Sequence, residues 1–329
     1  MQMRDYELRS LNIEILKNSQ LHLCTYEILY VHLRPLLLFS LALFIQMTTS
    51  GVLLILSLAL VTIALIDLFW LLHDIGHLAV FKNNKYSRTW VSFLSVTFFG
   101  FPLSGLLFET HRVHHAHPNT LFKDTAIETA PIYWSVEQLS KARSKSKLFF
   151  KHQNWLWFFV AIPLSTLFVA YDGMKLAIRT KNIALALFIV ARWILVVSVF
   201  QIPLVFLLVP QILTGFWTGF VASLNHFHLD QLKEQDENGF ATHAFKSSQN
   251  IRYYSGFATW ITGGLNYHIE HHLFPRVPSM KLKYVRPYAQ DLARQLRVPY
   301  REETPAQIVA QVWRKLKFLA VWRLHNAHK

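Results

Sequence analysis

Between Pro35 and Trp70 the chain runs for 36 residues with a single charge, Asp67. As one helix at 1.5 Å per residue this run would extend about 54 Å, nearly twice a hydrocarbon core of about 30 Å. A hairpin of two membrane spans is therefore predicted, turning at the polar stretch 46–51 (Gln-Met-Thr-Thr-Ser-Gly). A second uncharged run, from Trp193 to Asn225, is interrupted by Pro203 and Pro210. With the apolar residues from Ile183 onward it is read as another hairpin turning near those prolines. Composition agrees: 53% of residues are hydrophobic and 16% charged, with a mean hydropathy of +0.26. That excludes disorder and leaves too little polar surface to cover a wholly soluble domain.

The remaining charge is lopsided, with 33 Lys+Arg against 19 Asp+Glu and a formal net charge of +14. Such a balance suits nucleic acid or an anionic membrane face, and the long apolar runs decide for the membrane, with no nucleic-acid partner. Ten Lys/Arg lie between His73 and Gln153 and fifteen after Asn225, while both predicted hairpin turns have none. By the positive-inside rule everything polar faces the cytoplasm, both termini included. The segments from Thr89 to Phe108 and from Trp155 to Tyr171 contain Gly or Pro, and a full span at either would swap the side of a charged region. They are read as re-entrant or interfacial helices. Met1 to Arg34 mixes four acidic with four basic residues and shows no small-residue cleavage site after an apolar core, so the start is read as cytoplasmic. The membrane is expected to be a bacterial inner membrane.

The expectation is thus an all-α integral membrane protein of about four transmembrane helices in two hairpins, with interfacial or re-entrant helices and a cytoplasmic helical cap carrying a di-metal site. Its single domain, 1–329, divides into a first transmembrane hairpin at 35–72, a cytoplasmic region at 73–153, a second hairpin at 183–224 and the cap at 225–329. The tail from Pro278 on is amphipathic and basic, fit to cap the polar face or to touch a membrane surface.

The one cysteine, Cys24, excludes a disulfide framework, a cysteine zinc site and an iron–sulfur cluster within these residues. Histidine is the abundant ligand type, at 17 residues, and eight of them fall into three short clusters: His73 and His77; His111, His114 and His115; His268, His271 and His272. Residues at i and i+4, or at i, i+3 and i+4, stand on one face of a helix, so each cluster aims two or three imidazoles at one point. Each also sits just beyond an apolar segment. Eight or nine imidazoles exceed one coordination sphere, which implies two metal ions, and imidazole suits iron, copper, zinc and nickel alike. Asp74, Glu109, Asp124, Glu128 and Glu270 lie inside or close to the clusters, where a carboxylate can accept the ring N–H that points away from a metal.

In this pattern the chain resembles the membrane fatty acid desaturase and hydroxylase superfamily, whose three histidine boxes read HxxxH, HxxHH and HxxHH in this order. The resemblance runs from about Pro35 to Tyr300. It implies two non-haem irons (Fe2+/Fe3+) held by these eight histidines and a ninth after the last span, matched by His226 of the Asn225-His226 pair, with His228 as its rival. It implies O2 as co-substrate, a separate electron donor (a ferredoxin or a haem cytochrome with its reductase), membrane lipids, and an acyl chain carried on coenzyme A, acyl carrier protein or a lipid. No catalytic residue beyond the metal ligands is implied. The residues around the third box, 263–275 (GGLNYHIEHHLFP), look like those of linoleoyl-type and front-end acyl desaturases, with His268 where that subgroup commonly has Gln. The His-Pro-Gly-Gly motif of a fused haem domain does not occur. Trp70, Phe98, Phe99, Phe101, Trp217, Phe220 and Trp260 flank the boxes as candidate lining of an acyl tunnel. Two rivals remain: a hydroxylase of an acyl, alkane, sterol or carotenoid substrate, and a membrane metal transporter or sensor. The last would set ionisable ligands along the spans, whereas here they gather beyond them.

Overall fold

The computed structural model describes residues 5–129, 132–142, 151–163, 165–199 and 202–326. Arg143, Lys145 and Lys147, part of the charge count above, lie outside them. The principal helices, in chain order, are α1 (Asp5–Lys17), α2 (Thr25–Thr48), α3 (Leu53–Gly76), α4 (Asn84–Phe99), α5 (His111–Ala116), α6 (Ser165–Arg179), α7 (Ile183–Ile194), α8 (Leu204–His226), α9 (Phe240–Ser247), α10 (His268–Leu273), α11 (Leu282–Leu296) and α12 (Pro305–Asn326). The chain divides into two units, Met1–Leu21 with Thr110–Ile162 and Phe220–Lys329, and His22–Glu109 with Pro163–Gly219.

The second of these units holds the apolar helices. α2 and α3 pack against each other as the expected hairpin, and the chain turns at Gly51, where φ is +66°. Polar groups inside the pair are satisfied internally, as an apolar solvent demands. Ser57 donates to the Ala42 carbonyl at 2.8 Å, and Asp67 accepts from Arg34 Nε at 2.6 Å. Outward-facing Leu37, Phe44, Met47 and Ile55 stay exposed, the surface that lipid would cover. Inside, Leu68, Leu72 and Ile75 pack with Val91, Phe99 and Leu107 into one core.

The segment from Thr89 to Phe108 is broken. α4 ends at Gly100, whose φ of +83° and closeness to Trp193 leave no room for a side chain: a Cβ there would sit 2.7 Å from the indole. Arg192 is buried and donates to the Thr97 carbonyl at 3.3 Å, supplying a donor to carbonyls that the helix end leaves open. Among the described residues, three helices are long and apolar enough to cross a membrane, Ser19–Thr48, Leu53–Gly76 and Leu204–His226. A fourth is reached only by joining Gln153–Ala161 to Ser165–Arg179 across the break at Pro163. The second expected hairpin is thus uneven. Its first limb, Ile183–Val199, is short and ends in a π-turn, while α8 starts after Pro203 and runs through Pro210.

In the other unit α1, α9, α10 and α11 share a core of Leu8, Ile15, Phe245, Ile269, Phe274, Val285 and Leu292. The amphipathic tail lies on its own unit: Leu282, Val285, Ala289 and Leu292 of α11 and Ile308, Val312 and Leu316 of α12 are buried. A short parallel pairing of Asn250–Ile251 with Glu302–Glu303 ties the chain before α10 to the chain before α12. The site sits on this frame.

Candidate metal centre

Box two follows directly on a π-turn, Leu106–Thr110, and occupies α5. Such wide turns are uncommon and recur at functional sites. Box three occupies α10, reached through Gly263 and Gly264 at φ of +58° and +76° and the 3-10 turn Leu265–Tyr267. A Cβ on Gly264 would lie 2.8 Å from the Ser279 Cβ, so both the backbone sign and the space demand glycine. The Asn250 side chain accepts the Ile269 N–H at 2.8 Å, filling a donor that the helix start leaves open.

Seven histidines of this unit form one field of rings. His114, His226, His268 and His272 are all buried and each brings a nitrogen within 4.8 Å of the others. The Nε2 atoms of His268 and His226 are 2.6 Å apart, and the His272 Nε2 lies 3.2 Å from that of His226 and 3.1 Å from that of His268. Beside them the Nε2 atoms of His115 and His271 are 3.0 Å apart, with the His111 ring centroid 4.6 Å from that of His115. In the other unit, His73 and His77 stand edge to face at the end of α3 with ring centroids 4.7 Å apart. The described ligand-type groups do not place His228 in a cluster, and burial lowers its imidazole to about 4.

Outer contacts fix which nitrogen faces the cluster. The His226 Nδ1 is 2.7 Å from the Ser247 carbonyl, which can only accept, so its Nε2 presents a lone pair inward. The His114 Nδ1 lies 2.8 Å from Asp124 Oδ2 and is oriented in the same way. Burial raises the Asp124 carboxyl, but His114 and the Asn119 N–H outweigh it and hold the group below its ordinary value. Burial, reinforced by the neighbouring histidines, pushes His272 well below its ordinary value and keeps it a neutral donor. Buried lone pairs that converge this closely fit a cation at their centre, and an all-imidazole donor set fits iron or another first-row metal.

The other acidic candidates sit differently. Glu270 is fully buried and accepts from Asn250 Nδ2 at 2.8 Å and from the Tyr300 hydroxyl; burial pushes it up to about 7 against those bonds. Glu109 is half-exposed and pairs with Arg179 at 3.5 Å. Asp74 lies 3.8 Å from His73 Nδ1. Asn225 reaches back to the Leu265 carbonyl at 2.7 Å and pins the end of α8 to the turn before box three. Sequence reasoning missed Asn119, Ser247, Asn250 and Tyr300. Only Asn119, in a Pro-Asn pair just after box two, carries a local signal.

The fatty acid desaturase family model matches residues 48–304. Among curated proteins the chain is 29% identical over 268 residues to a Delta(5) fatty acid desaturase of Caenorhabditis elegans, covering 74% of this chain and 59% of that protein. It is 28% identical over 277 residues to a Delta(8)-fatty-acid desaturase of Euglena gracilis, covering 77% and 64%. It is 26% identical over 255 residues to fatty acid desaturase 3 of Bos taurus, covering 74% and 57%. The chain belongs to the fatty acid desaturase family. It spans about six-tenths of the length of these curated relatives. All three are eukaryotic, so they lend no support to a bacterial inner membrane.

Proposed function

We propose that the chain catalyses O2-dependent insertion of a double bond into a fatty acyl chain, at two iron ions held by His73, His77, His111, His114, His115, His226, His268, His271 and His272. The observation that carries this reading is the buried convergence of His114, His226, His268 and His272 in a chain of this family. When bound and reduced, such a metal pair supplies the activation of dioxygen needed to remove hydrogen from unactivated C–H bonds. The chain's own part is positioning: Asp124 and Ser247 hold the His114 and His226 rings with their Nε2 lone pairs inward. Electrons come from a separate ferredoxin or haem cytochrome. Boxes, termini and the α11–α12 cap lie on the cytoplasmic side, where the basic residues collect.

Box three resembles that of enzymes that count from the carboxyl end. On that resemblance the acyl head group docks at the basic surface and the methyl end enters first. Expression in a host of simple fatty acid composition, fed acyl chains of several lengths, tests both points by mass spectrometry. New double bonds at one distance from the carboxyl carbon are expected. A constant distance from the methyl end overturns the entry direction, and a hydroxylated product overturns desaturation.

A further inference from the structure

Asn119 follows box two in an unusual state: it is 1% exposed and its φ is +52°, the left-handed region that asparagine tolerates better than other side chains with a Cβ. Its backbone N–H and C=O and its side-chain N–H groups are all used. The backbone N–H donates to Asp124 Oδ2 at 2.7 Å, the same oxygen that faces His114. Its side-chain amide donates to the Asp230 carbonyl at 3.1 Å and to the His226 carbonyl at 3.5 Å. Its own carbonyl accepts from the Leu232 N–H at 3.0 Å. One residue thus touches the carboxylate that orients His114, through its backbone N–H, and the helix end that carries His226, through its side-chain amide. His243, on the same helix as Ser247, closes the frame, with Nε2 2.9 Å from the Pro118 carbonyl and 3.1 Å from the Thr120 hydroxyl.

We propose that Asn119 is a positioning residue for the buried metal site, setting the distance between His114 and His226 by holding Asp124 and the end of α8 in one frame. This rests on the reading that the four-histidine cluster binds a metal ion. Buried backbone strain of this kind persists where surrounding contacts over-determine it, and it clusters at functional sites. Outer-sphere partners of metal-binding histidines typically carry a factor of about 10 to 100 in metal affinity.

The test uses the full chain purified in detergent and freed of metal, with cobalt(II) as the probe. Asn119→Gly keeps the left-handed backbone and the N–H on Asp124 but removes the amide; Asn119→Asp keeps the size and sets a carboxylate against two carbonyls. Both are expected to weaken one cobalt site by about 10- to 100-fold, to alter its visible absorption, and to leave the second ion bound. Metal-free Asn119→Gly should lose no more than a few degrees of its unfolding midpoint, the cost of the lost amide bonds. If the aspartate variant does not accumulate, the glycine variant decides. Wild-type affinity and spectrum in Asn119→Gly overturn the proposal, and so does loss of both ions in step with lost thermal stability, which marks a role in folding alone. A wild-type chain that binds no cobalt overturns the metal reading, and the proposal with it.

Discussion

Boxes two and three share the pattern HxxHH and each makes a helix of six residues, yet they are held in opposite ways. In box two only His114 is fully buried, and its support acts on the ring: a carboxylate ten residues downstream, itself held by Asn119, faces the outer nitrogen. In box three all six residues are buried, and support acts on the helix instead. Asn250 takes the Ile269 N–H in its first turn, Asn225 pins the turn before it, and Glu270 anchors its back to Tyr300. A shared motif therefore states which nitrogens converge, and the supporting residues, which it does not contain, state what happens when the support is lost. Losses at box two should appear in metal affinity and losses at box three in the fold.

The largest expected effect erases the distinction. His272→Ala removes one of the four converging nitrogens and leaves three buried imidazoles around a hole. Double-bond formation should fall by more than about a hundredfold, beyond the range of outer-sphere changes, with iron lost and the chain still inserted. Product analysis and iron content per chain measure this, and an active, iron-replete variant would remove box three from the site. Asp124→Asn comes next and isolates box two. With the carboxylate gone His114 loses its fixed tautomer, and metal affinity should drop by roughly 10- to 100-fold while thermal unfolding of the metal-free protein changes little. Equal losses in both measurements would contradict the ring-directed reading of this box.

Gly264→Ala isolates box three. The new Cβ meets Ser279 backbone and side chain, and the positive φ adds strain of about 1–3 kcal/mol. Lower thermal stability at unchanged metal stoichiometry is expected. A variant as stable as the wild type would show that the loop before α10 relaxes freely.

What the sequence made legible follows the same division. The i, i+3, i+4 spacing of His111 to His115 and of His268 to His272 is local, and both segments are helices. The length and apolarity of the run from Pro35 to Trp70 demand a hairpin whatever else the chain does, and α2 and α3 form one. Run length misled where a polar residue has a distant use. Arg192 interrupts the apolar limb read from Ile183 onward and is a buried donor to the end of α4, ninety-five residues earlier at Thr97, and the helix around it is short. The partners of the histidines were hidden for the same reason: Ser247 lies 21 residues from His226, and Tyr300 lies 30 from Glu270. Spacing reports one face of one helix; it carries nothing about a carbonyl or a hydroxyl brought in by another.

The smallest effect is the most discriminating. Tyr300→Phe deletes one hydroxyl from a chain of contacts that runs from Glu270 through Tyr300 and Arg286 to Glu302, the last pair at 2.7 Å. Glu270 keeps its bond from Asn250, so it is not left alone, and the loss of the hydroxyl's bonds with Glu270, Asn250 and Arg286 should cost about 1–3 kcal/mol. No histidine ring contacts this hydroxyl among the described hydrogen bonds, so cobalt affinity and spectrum should stay at wild-type values while the unfolding midpoint falls by a few degrees. Asp124→Asn should give the mirror image, weaker metal at an unchanged midpoint. If Tyr300→Phe instead weakens metal as Asp124→Asn does, the back of α10 is part of the metal's own environment, and the two boxes are held by one network rather than two.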